Sequence, residues 1–170
     1  MTEKRFLHTM NVAWEAVGIA ERLGADKGKA YIAGLLHDCA KDVGQTPEAF
    51  KDIGVETYDG AFPQLSHGPL GAKIARELGV NDEDILNAIT YHSTGRKEMS
   101  LLEKITFVAD AVEPGRPEDA QREIRAALDQ DINGAVVSAL KRKFEYCARK
   151  GQSVHPLGRE ALSYYESLKN

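Results

Sequence analysis

The sequence predicts an all-α fold, and three observations support this prediction. Apolar residues recur at steps of three and four along nearly the whole chain, which is the period of an amphipathic helix. Runs of alternating β-branched residues, which would indicate strands, are almost absent. Glycine, proline and small polar residues stand between the apolar stripes, where helices usually begin and end. We expect residues 1–170 to form a single domain, because this length suits one hydrophobic core.

Three helices are predicted in the first part of the chain. Residues 3–23 carry an apolar stripe that stops before a glycine, as helices commonly do. Residues 26–39 form a second apolar segment, whose small residues would let another helix approach closely. Thr46 followed by proline is typical of an N-cap and a first helical position, so a short helix is expected over 47–53. Glycine and proline in residues 54–66 then predict a loop.

Further helices are predicted after this loop. Ser66 is expected to cap the first of them, and Asn81 or Asp82 the second. Ser100 and Glu103 have the spacing of a capping box, in which the two residues bond each other's backbone N–H groups. The expected helical ranges are 67–78, 82–92, 101–112, 118–129, 131–149 and a last helix after Pro156.

Charge and composition exclude several classes of function. Lys and Arg total 22 against 26 Asp and Glu, a net charge of -4, which argues against a broad basic face for nucleic acid. The longest apolar run, 30–36, is far shorter than the ~20 residues that span a bilayer, and no signal-peptide core follows the N-terminus. We expect a cytoplasmic protein without nucleic-acid or membrane partners, in which Cys39 and Cys147 are reduced thiols.

Four of the five histidines fall on or beside the apolar stripes of different predicted helices. One histidine in such a place usually packs in the core, but four of them together with carboxylates indicate a shared ligand. Asp38 directly follows His37, and Asp110 lies in an apolar segment, where an unpaired buried carboxylate is costly. A bound cation would satisfy both kinds of group. The predicted ligands are His8, His37, Asp38, His67, His92 and Asp110.

Two metal ions fit this set better than one, because six nitrogen and oxygen ligands exceed what a tetrahedral zinc ion needs. Adjacent side chains on a helix diverge by about 100°, so His37 can face one ion while the two oxygens of Asp38 bridge both. Two divalent ions over two carboxylates leave a charge of about +2, which favours an anionic substrate and phosphate chemistry. Imidazole and carboxylate ligands suit iron, manganese, cobalt or zinc.

Several motifs around these residues resemble those of one known family. They are RFLHT at 5–9, LHDCAK at 36–41, SHGPLGA at 66–72, YHSTGR at 91–96, MSLLEK at 99–104, and FVAD with EPGR at 107–116. The pattern His, His-Asp, Asp is typical of the HD superfamily of metal-dependent phosphohydrolases. The finer motifs are similar to the YqeK family of bacterial HD-domain symmetrical bis(5'-nucleosyl)-tetraphosphatases, over nearly the whole chain.

The resemblance implies a fold, a metal centre and a reaction. The fold would be an HD-domain helical bundle whose core holds a dinuclear site made by the six predicted ligands, with iron as the expected metal. The reaction would be the symmetrical hydrolysis of diadenosine tetraphosphate to two ADP by a metal-activated hydroxide. In this interpretation Asp38 bridges the metals, and Asp110 orients the hydroxide or accepts its proton. Ser93 stands where the family usually has threonine.

Five residues are predicted to hold the polyphosphate. Lys41 could reach a phosphate oxygen or the attacking water, which would make it catalytic as well. Arg96 and Arg116 each follow a glycine-containing turn and could swing over the site. Ser93 and Thr94 offer hydroxyls or backbone N–H groups. For each of the three cations, an ordinary surface position is the alternative. Asp42 is expected to hold a neighbouring cation in place.

Two other functions remain open from the sequence. The same centre could serve a phosphatase or phosphodiesterase acting on another nucleotide, since the fold does not fix the organic part of a substrate. Alternatively, the metals could be structural in a nucleotide-sensing module, and a homodimer is possible in either case. We expect His155 at the surface and Trp14 and the pair at 164–165 in packing, and we interpret 141–143 as a solvated basic face.

Overall fold

The computed structural model describes residues 2–42, 50 and 59–168. This part of the chain contains eight α-helices, one short 3₁₀ helix at Pro63–Leu65 and no strand, which confirms the all-α prediction. The helix expected over 47–53 lies outside the described residues, apart from Phe50. The helices are α1 (Glu3–Leu23), α2 (Lys27–Leu36), α3 (His67–Glu77), α4 (Glu83–Tyr91), α5 (Leu101–Val112), α6 (Glu118–Leu128), α7 (Ile132–Arg149) and α8 (Pro156–Ser167).

Polar side chains cap most of these helices, and two of the caps, at Asp82 and Ser100, are among those predicted from the sequence. The Asp26 side chain accepts from Lys29 N at the start of α2, and Asp82 caps α4. At the start of α5, Ser100 and Glu103 form the predicted capping box. Ser66 departs from the expectation, because its hydroxyl accepts from the Asp59 backbone N–H and makes no cap hydrogen bond to α3.

Helix α5 lies at the centre of the bundle. It packs against α1, α2, α4, α6 and α7, so it is apolar on nearly all sides. Ile105, Val108 and Ala109 are completely buried in the main core, and α8 adds Tyr165, whose hydroxyl accepts from the Met99 backbone N–H at 2.7 Å. Trp14 differs from its expected packing role, since 61% of it is exposed.

Two glycines allow neighbouring helices to approach closely. A Cβ on Gly34 in α2 would lie 2.7 Å from Ala13 Cα in α1, and one on Gly68 in α3 would lie 2.4 Å from the Thr90 carbonyl oxygen in α4. Both glycines stand next to predicted ligands, because α2 ends directly before His37 and α3 begins at His67. The close helix contacts therefore set the spacing of the site. No described helix is both long and apolar enough to cross a membrane.

Gly34→Ala should destabilise the fold, because its methyl group would collide with backbone that cannot move aside. Overpacking of this kind costs about 1–3 kcal/mol. Gly18→Ala is the matched control: Gly18 lies in α1 with nothing within 4 Å of its added Cβ, and Ala is a better helix former by about 1 kcal/mol. Denaturant unfolding of both variants measures the difference. Equal stability of the two variants would contradict the close-contact interpretation.

Candidate metal centre

The structure brings the six predicted ligands together from five segments of the bundle. Each segment supplies one ligand, except the turn after α2, which supplies both His37 and Asp38. The HD pair lies in the turn after α2, which is a departure from the predicted helix over 26–39, because tight i to i+3 hydrogen bonds replace the helical pattern after Leu36. The ligands are His8 in α1, His37 and Asp38 after α2, His67 at the start of α3, His92 after α4, and Asp110 in α5.

Backbone carbonyls fix the orientation of three of the imidazole rings. His37 Nδ1 donates to Gly34 O, and His92 Nδ1 donates to Ile89 O, both at 2.7 Å. His67 Nδ1 makes the same bond, also at 2.7 Å, to Gln64 O. A carbonyl can only accept, so the proton of each neutral ring must be on Nδ1. The Nε2 atoms are therefore left with lone pairs that point into the cluster.

The carboxylate of Asp38 spans two groups of imidazole nitrogens. Its Oδ1 lies 3.1 Å from His67 Nε2 and 3.3 Å from His92 Nε2. Its Oδ2 lies 3.8 Å from His37 Nε2 and 3.9 Å from His8 Nε2. On the latter side, Asp110 Oδ1 adds a further oxygen, 3.4 Å from His8 Nε2. This is the position that a bridging carboxylate needs.

The donor set fits divalent cations. His67 Nε2 lies 3.0 Å from His92 Nε2, so two unprotonated nitrogens face one another at repulsive range, and His8 Nε2 lies 3.2 Å from His37 Nε2. Asp38 Oδ1 is buried and accepts no hydrogen bond of good geometry from the described residues. Two overlapping groups of ligand atoms lie within 4.8 Å of one another: His8, His37 and Asp110, and His37, Asp38 and His92.

Burial keeps the imidazoles of His37 and His92 neutral and available as ligands. It lowers the pKa of His92 to about 4 and lowers the pKa of His37 as well, because charged imidazolium is poorly solvated in the interior. Burial alone would raise the pKa of Asp110, but the charge of the Arg116 guanidinium outweighs it and holds this pKa well below its usual range. His37 and His92 therefore offer neutral nitrogens, and Asp110 an ionised carboxylate, near neutral pH, which is the protonation state that metal binding requires.

Four of the five predicted substrate residues lie beside the cluster. Lys41 Nζ lies 3.0 Å from His67 Nε2 and 3.4 Å from Asp38 Oδ1. The Ser93 hydroxyl lies 2.9 Å from His92 Nε2, and Thr94 lines the adjoining cavity. Arg116 Nε donates to the Asp110 carbonyl oxygen at 2.8 Å, and its Nη2 pairs with the Asp110 carboxylate.

Arg96 does not lie over the cluster as expected. Its Nε and Nη2 donate to the two carboxylate oxygens of Glu103 at 2.7 and 2.9 Å, and its guanidinium stacks on the Tyr91 ring. Glu103 is almost completely buried and needs this cation as a partner. The turn after His92 thus directs Arg96 to the start of α5, where it has a structural contact.

Sequence reasoning missed two residues that hold the ligands. Glu113 is buried, and its Oε1 accepts from His8 Nδ1 at 3.2 Å while its Oε2 accepts from Asn11 and from the Gly115 backbone. Arg5 lies 3.4 Å from Asp38 Oδ2 and 3.0 Å from Asp42, so Asp42 pairs with a cation that contacts a ligand. Helical spacing could have indicated both, because Arg5 and Glu113 are each three residues from a ligand.

Lys143 corrects the interpretation of 141–143 as a solvated face. It is partly buried, its Nζ donates to the Ser93 carbonyl oxygen, and it lies 5.3 Å from the centre of the Phe107 ring. Burial lowers its pKa to about 8. Its place in α7, three residues after buried Leu140, is the signal that could have shown this inward direction.

A cavity of about 700 Å³ opens beside the cluster. Lys41, Ser93, Asp110 and Arg116 line the end nearest the ligands, and the inner face of α7 forms one wall. His155 lines the other side, where it caps α8 and lies against the Phe62 ring, so it is less exposed than expected. The site is therefore a metal-ligand cluster that opens into a space large enough for an elongated small molecule.

Comparison with known proteins agrees with this geometry. The profile of the HD domain matches residues 5–115, the stretch that carries all six predicted ligands. The chain belongs to the HD-domain family. This HD domain is 41% identical to the symmetrical bis(5'-nucleosyl)-tetraphosphatase of Bacillus subtilis (strain 168), over 92% of the chain and 86% of that protein. It is 38% identical to the enzyme of the same name from Halalkalibacterium halodurans, over 99% of the chain and 90% of that protein.

A solved structure has the same architecture as this HD domain. The crystal structure of an HD superfamily hydrolase from Clostridium acetobutylicum, described as involved in NAD metabolism, superimposes with a TM-score of 0.88 at 38% identity. The match covers 99% of the chain and 92% of that structure. The resemblance to bacterial symmetrical bis(5'-nucleosyl)-tetraphosphatases that the sequence motifs indicate is therefore confirmed.

The metal-free protein should lose stability as pH falls from about 6.5 to about 4. His92 has a pKa of about 4 in the folded chain against an ordinary value of 6.5, so in this interval the unfolded chain binds a proton that the folded chain does not. Thermal melting of chelated protein across this range measures the effect, since a loss of ~1 kcal/mol lowers Tm by about 2–4 °C in a domain of this size. His92→Gln, also chelated, should show a flatter dependence. A Tm that rises as pH falls would contradict this expectation.

Glu113→Gln should weaken metal binding while leaving the ligands intact. The variant loses the charge that holds His8 through its Nδ1, and loss of such a supporting contact typically lowers metal affinity by about 10- to 100-fold. Glu118→Gln is the control, because Glu118 is exposed in the first turn of α6. Competition with a coloured chelator measures both. Wild-type affinity in Glu113→Gln would mean that His8 is positioned without this carboxylate.

Proposed function

We propose that this HD domain is a metal-dependent hydrolase that cleaves diadenosine tetraphosphate symmetrically to two ADP. The observation that carries the proposal is the Asp38 carboxylate, which spans two groups of imidazole nitrogens beside a cavity with a cationic lining. Relatives of nearly the same length are named for this reaction, which supports the choice of substrate. We place the whole of residues 1–170 in one such domain.

The six ligands would hold two divalent cations, for which we propose iron ahead of manganese, cobalt or zinc. His8, His37, Asp110 and one oxygen of Asp38 would bind one ion, and His67, His92 and the other oxygen of Asp38 would bind the second. Such a pair supplies an acidified water as nucleophile and offsets negative charge on the phosphoryl oxygens.

The remaining side chains have roles set by where they lie. Asp110 would orient the attacking water and accept its proton, since the charge of Arg116 outweighs the effect of burial and keeps this carboxylate ionised. Water attacks one of the two central phosphorus atoms, the central P–O–P bridge breaks on that side, and the bridging oxygen leaves with the second ADP. Lys41, at the mouth of the cluster, would offset charge on this leaving oxygen.

The cations around the centre favour a polyphosphate over a neutral substrate. The chain as a whole carries a net charge of -4, yet Lys41, Arg116 and Lys143 all line the cavity. An anionic chain entering this space would exchange its hydration for charge-assisted contacts. Ser93 and Thr94 would add hydroxyl or backbone N–H contacts. The cytoplasmic location that the sequence predicts, and the homodimer that it leaves possible, stay predictions.

His37→Ala and Asp38→Ala should each abolish hydrolysis and lower the bound metal. One variant removes a nitrogen ligand of the first proposed ion, and the other removes the carboxylate that spans the two groups of imidazole nitrogens. The measurement is metal analysis of protein purified without chelator, followed by chromatography of the products from diadenosine tetraphosphate. Asp129→Asn is the control, because this carboxylate is exposed and pairs with Arg22 far from the site. We expect two ADP from the wild-type protein and from the control.

Other products would point to the alternatives that the sequence leaves open. AMP and ATP in equal amounts would contradict symmetrical cleavage. Turnover of a mononucleotide with none of the tetraphosphate would assign the centre to a different nucleotide. Bound metal with no turnover of either would favour a sensing module.

A further inference from the structure

Lys143 is a partly buried cation of the cavity to which the proposed mechanism gives no specific contact. It projects from α7 toward the cluster, where its ammonium group donates to the carbonyl oxygen of Ser93. The hydroxyl of the same serine lies 2.9 Å from His92 Nε2. The charge of Lys143 therefore stands at the border between the metal ligands and the cavity.

The other partly buried cations of the cavity each have a carboxylate partner. Lys41 lies 3.4 Å from Asp38, Arg116 pairs with Asp110, and Arg142 lies 2.7 Å from Glu123. Lys143 forms no such ion pair with the carboxylates of residues 2–42, 50 and 59–168, and the charge of Asp110 acts on it only from a longer distance. The Ser93 carbonyl and the Phe107 ring supply only partial negative charge. An anion in the cavity would complete the neutralisation of this ammonium group.

We propose that Lys143 is a substrate-binding residue that takes phosphate oxygens of the polyphosphate chain next to the phosphoryl group held at the metal ligands. The inference rests on the proposed function and adds that the substrate extends along the face of α7 that lines the cavity. Beyond Lys143, the same face of α7 lines the cavity with Tyr146 and Arg149. At 1.5 Å per residue, Arg149 lies about 9 Å further along the helix. A nucleoside end carried past Lys143 thus meets an aromatic ring and a second cation.

A purely structural role makes a different prediction. In that case Lys143 would only fix the Ser93 carbonyl, and any donor of similar length would replace it. Lys143→Gln separates the two roles, because the amide keeps a donor for the carbonyl but has no charge. Lys143→Met removes both the donor and the charge. Lys141→Gln is the matched control: Lys141 is exposed on the same helix and pairs with Glu166 at 2.7 Å.

The test combines binding and turnover by the metal-loaded protein. Calorimetry with ADP and with inorganic phosphate compares a ligand that reaches past the metals with one that does not. Both Lys143 variants should bind ADP about 10- to 150-fold more weakly, the range for a charge-assisted contact, while phosphate affinity, metal content and Tm stay as in the wild type. KM for diadenosine tetraphosphate should rise by a similar factor. Lys141→Gln should match the wild type in every measurement.

Three results would overturn the inference: wild-type ADP affinity in Lys143→Gln, an equal loss of phosphate and ADP affinity, or a loss that follows a lowered Tm. The ADP measurement needs no turnover, so it is independent of the proposed reaction. Lysine-dependent ADP binding by a protein that does not cleave the tetraphosphate would retain this inference and contradict the proposed function. Tetraphosphate cleavage with unchanged KM in both Lys143 variants would retain the proposed function and contradict this inference.

Discussion

The whole site depends on where the imidazole protons are. Three rings donate hydrogen bonds from Nδ1 to backbone carbonyls, so their Nε2 lone pairs point into the interior. The Nε2 atoms of His67 and His92 lie 3.0 Å apart. Lone pairs this close repel one another unless positive charge lies between the nitrogens. The Lys41 ammonium group and the Ser93 hydroxyl, which both lie within hydrogen-bond distance of His67 Nε2, offset part of this repulsion. The helix contacts at Gly34 and Gly68 hold the rings at this separation. The packing of the helices therefore creates the requirement for a cation at this site.

Charge around the cluster is arranged in layers. Two carboxylates lie among the imidazoles, and Arg5, Lys41 and Arg116 surround them. A site so balanced resists protonation of its carboxylates, because the cations favour their ionised forms. The same cations would face an entering polyphosphate, so the groups that keep the ligands ionised also favour an anionic substrate.

Much of the fold and of the ligand set could be predicted from sequence, because both leave local signals. The apolar period locates the helices, and Ser100 with Glu103 shows where α5 begins. Imidazoles and carboxylates on apolar stripes show which helices meet. The orientation of long side chains has no such signal. The sequence predicts Arg96 over the site and Lys143 on a solvated face, yet Arg96 is bound by buried Glu103 and Lys143 enters the cavity. The partner of Arg96 lies across a turn whose geometry the sequence does not fix, and the partner of Lys143 lies 50 residues away along the chain.

The three carbonyl acceptors share one further feature: each lies three residues before the histidine that it orients, at Gly34, Gln64 and Ile89. Every one of these rings is therefore aligned by its own short segment of backbone, before any contact with another helix is made. Less side-chain entropy is then lost when a cation binds, because the rotamers are already restricted. Because each ring is oriented by its own segment, the orientation of one ligand is independent of the others. A change in the core that shifts one helix would translate a correctly oriented ligand without turning its ring, so coordination would tolerate drift in the surrounding bundle.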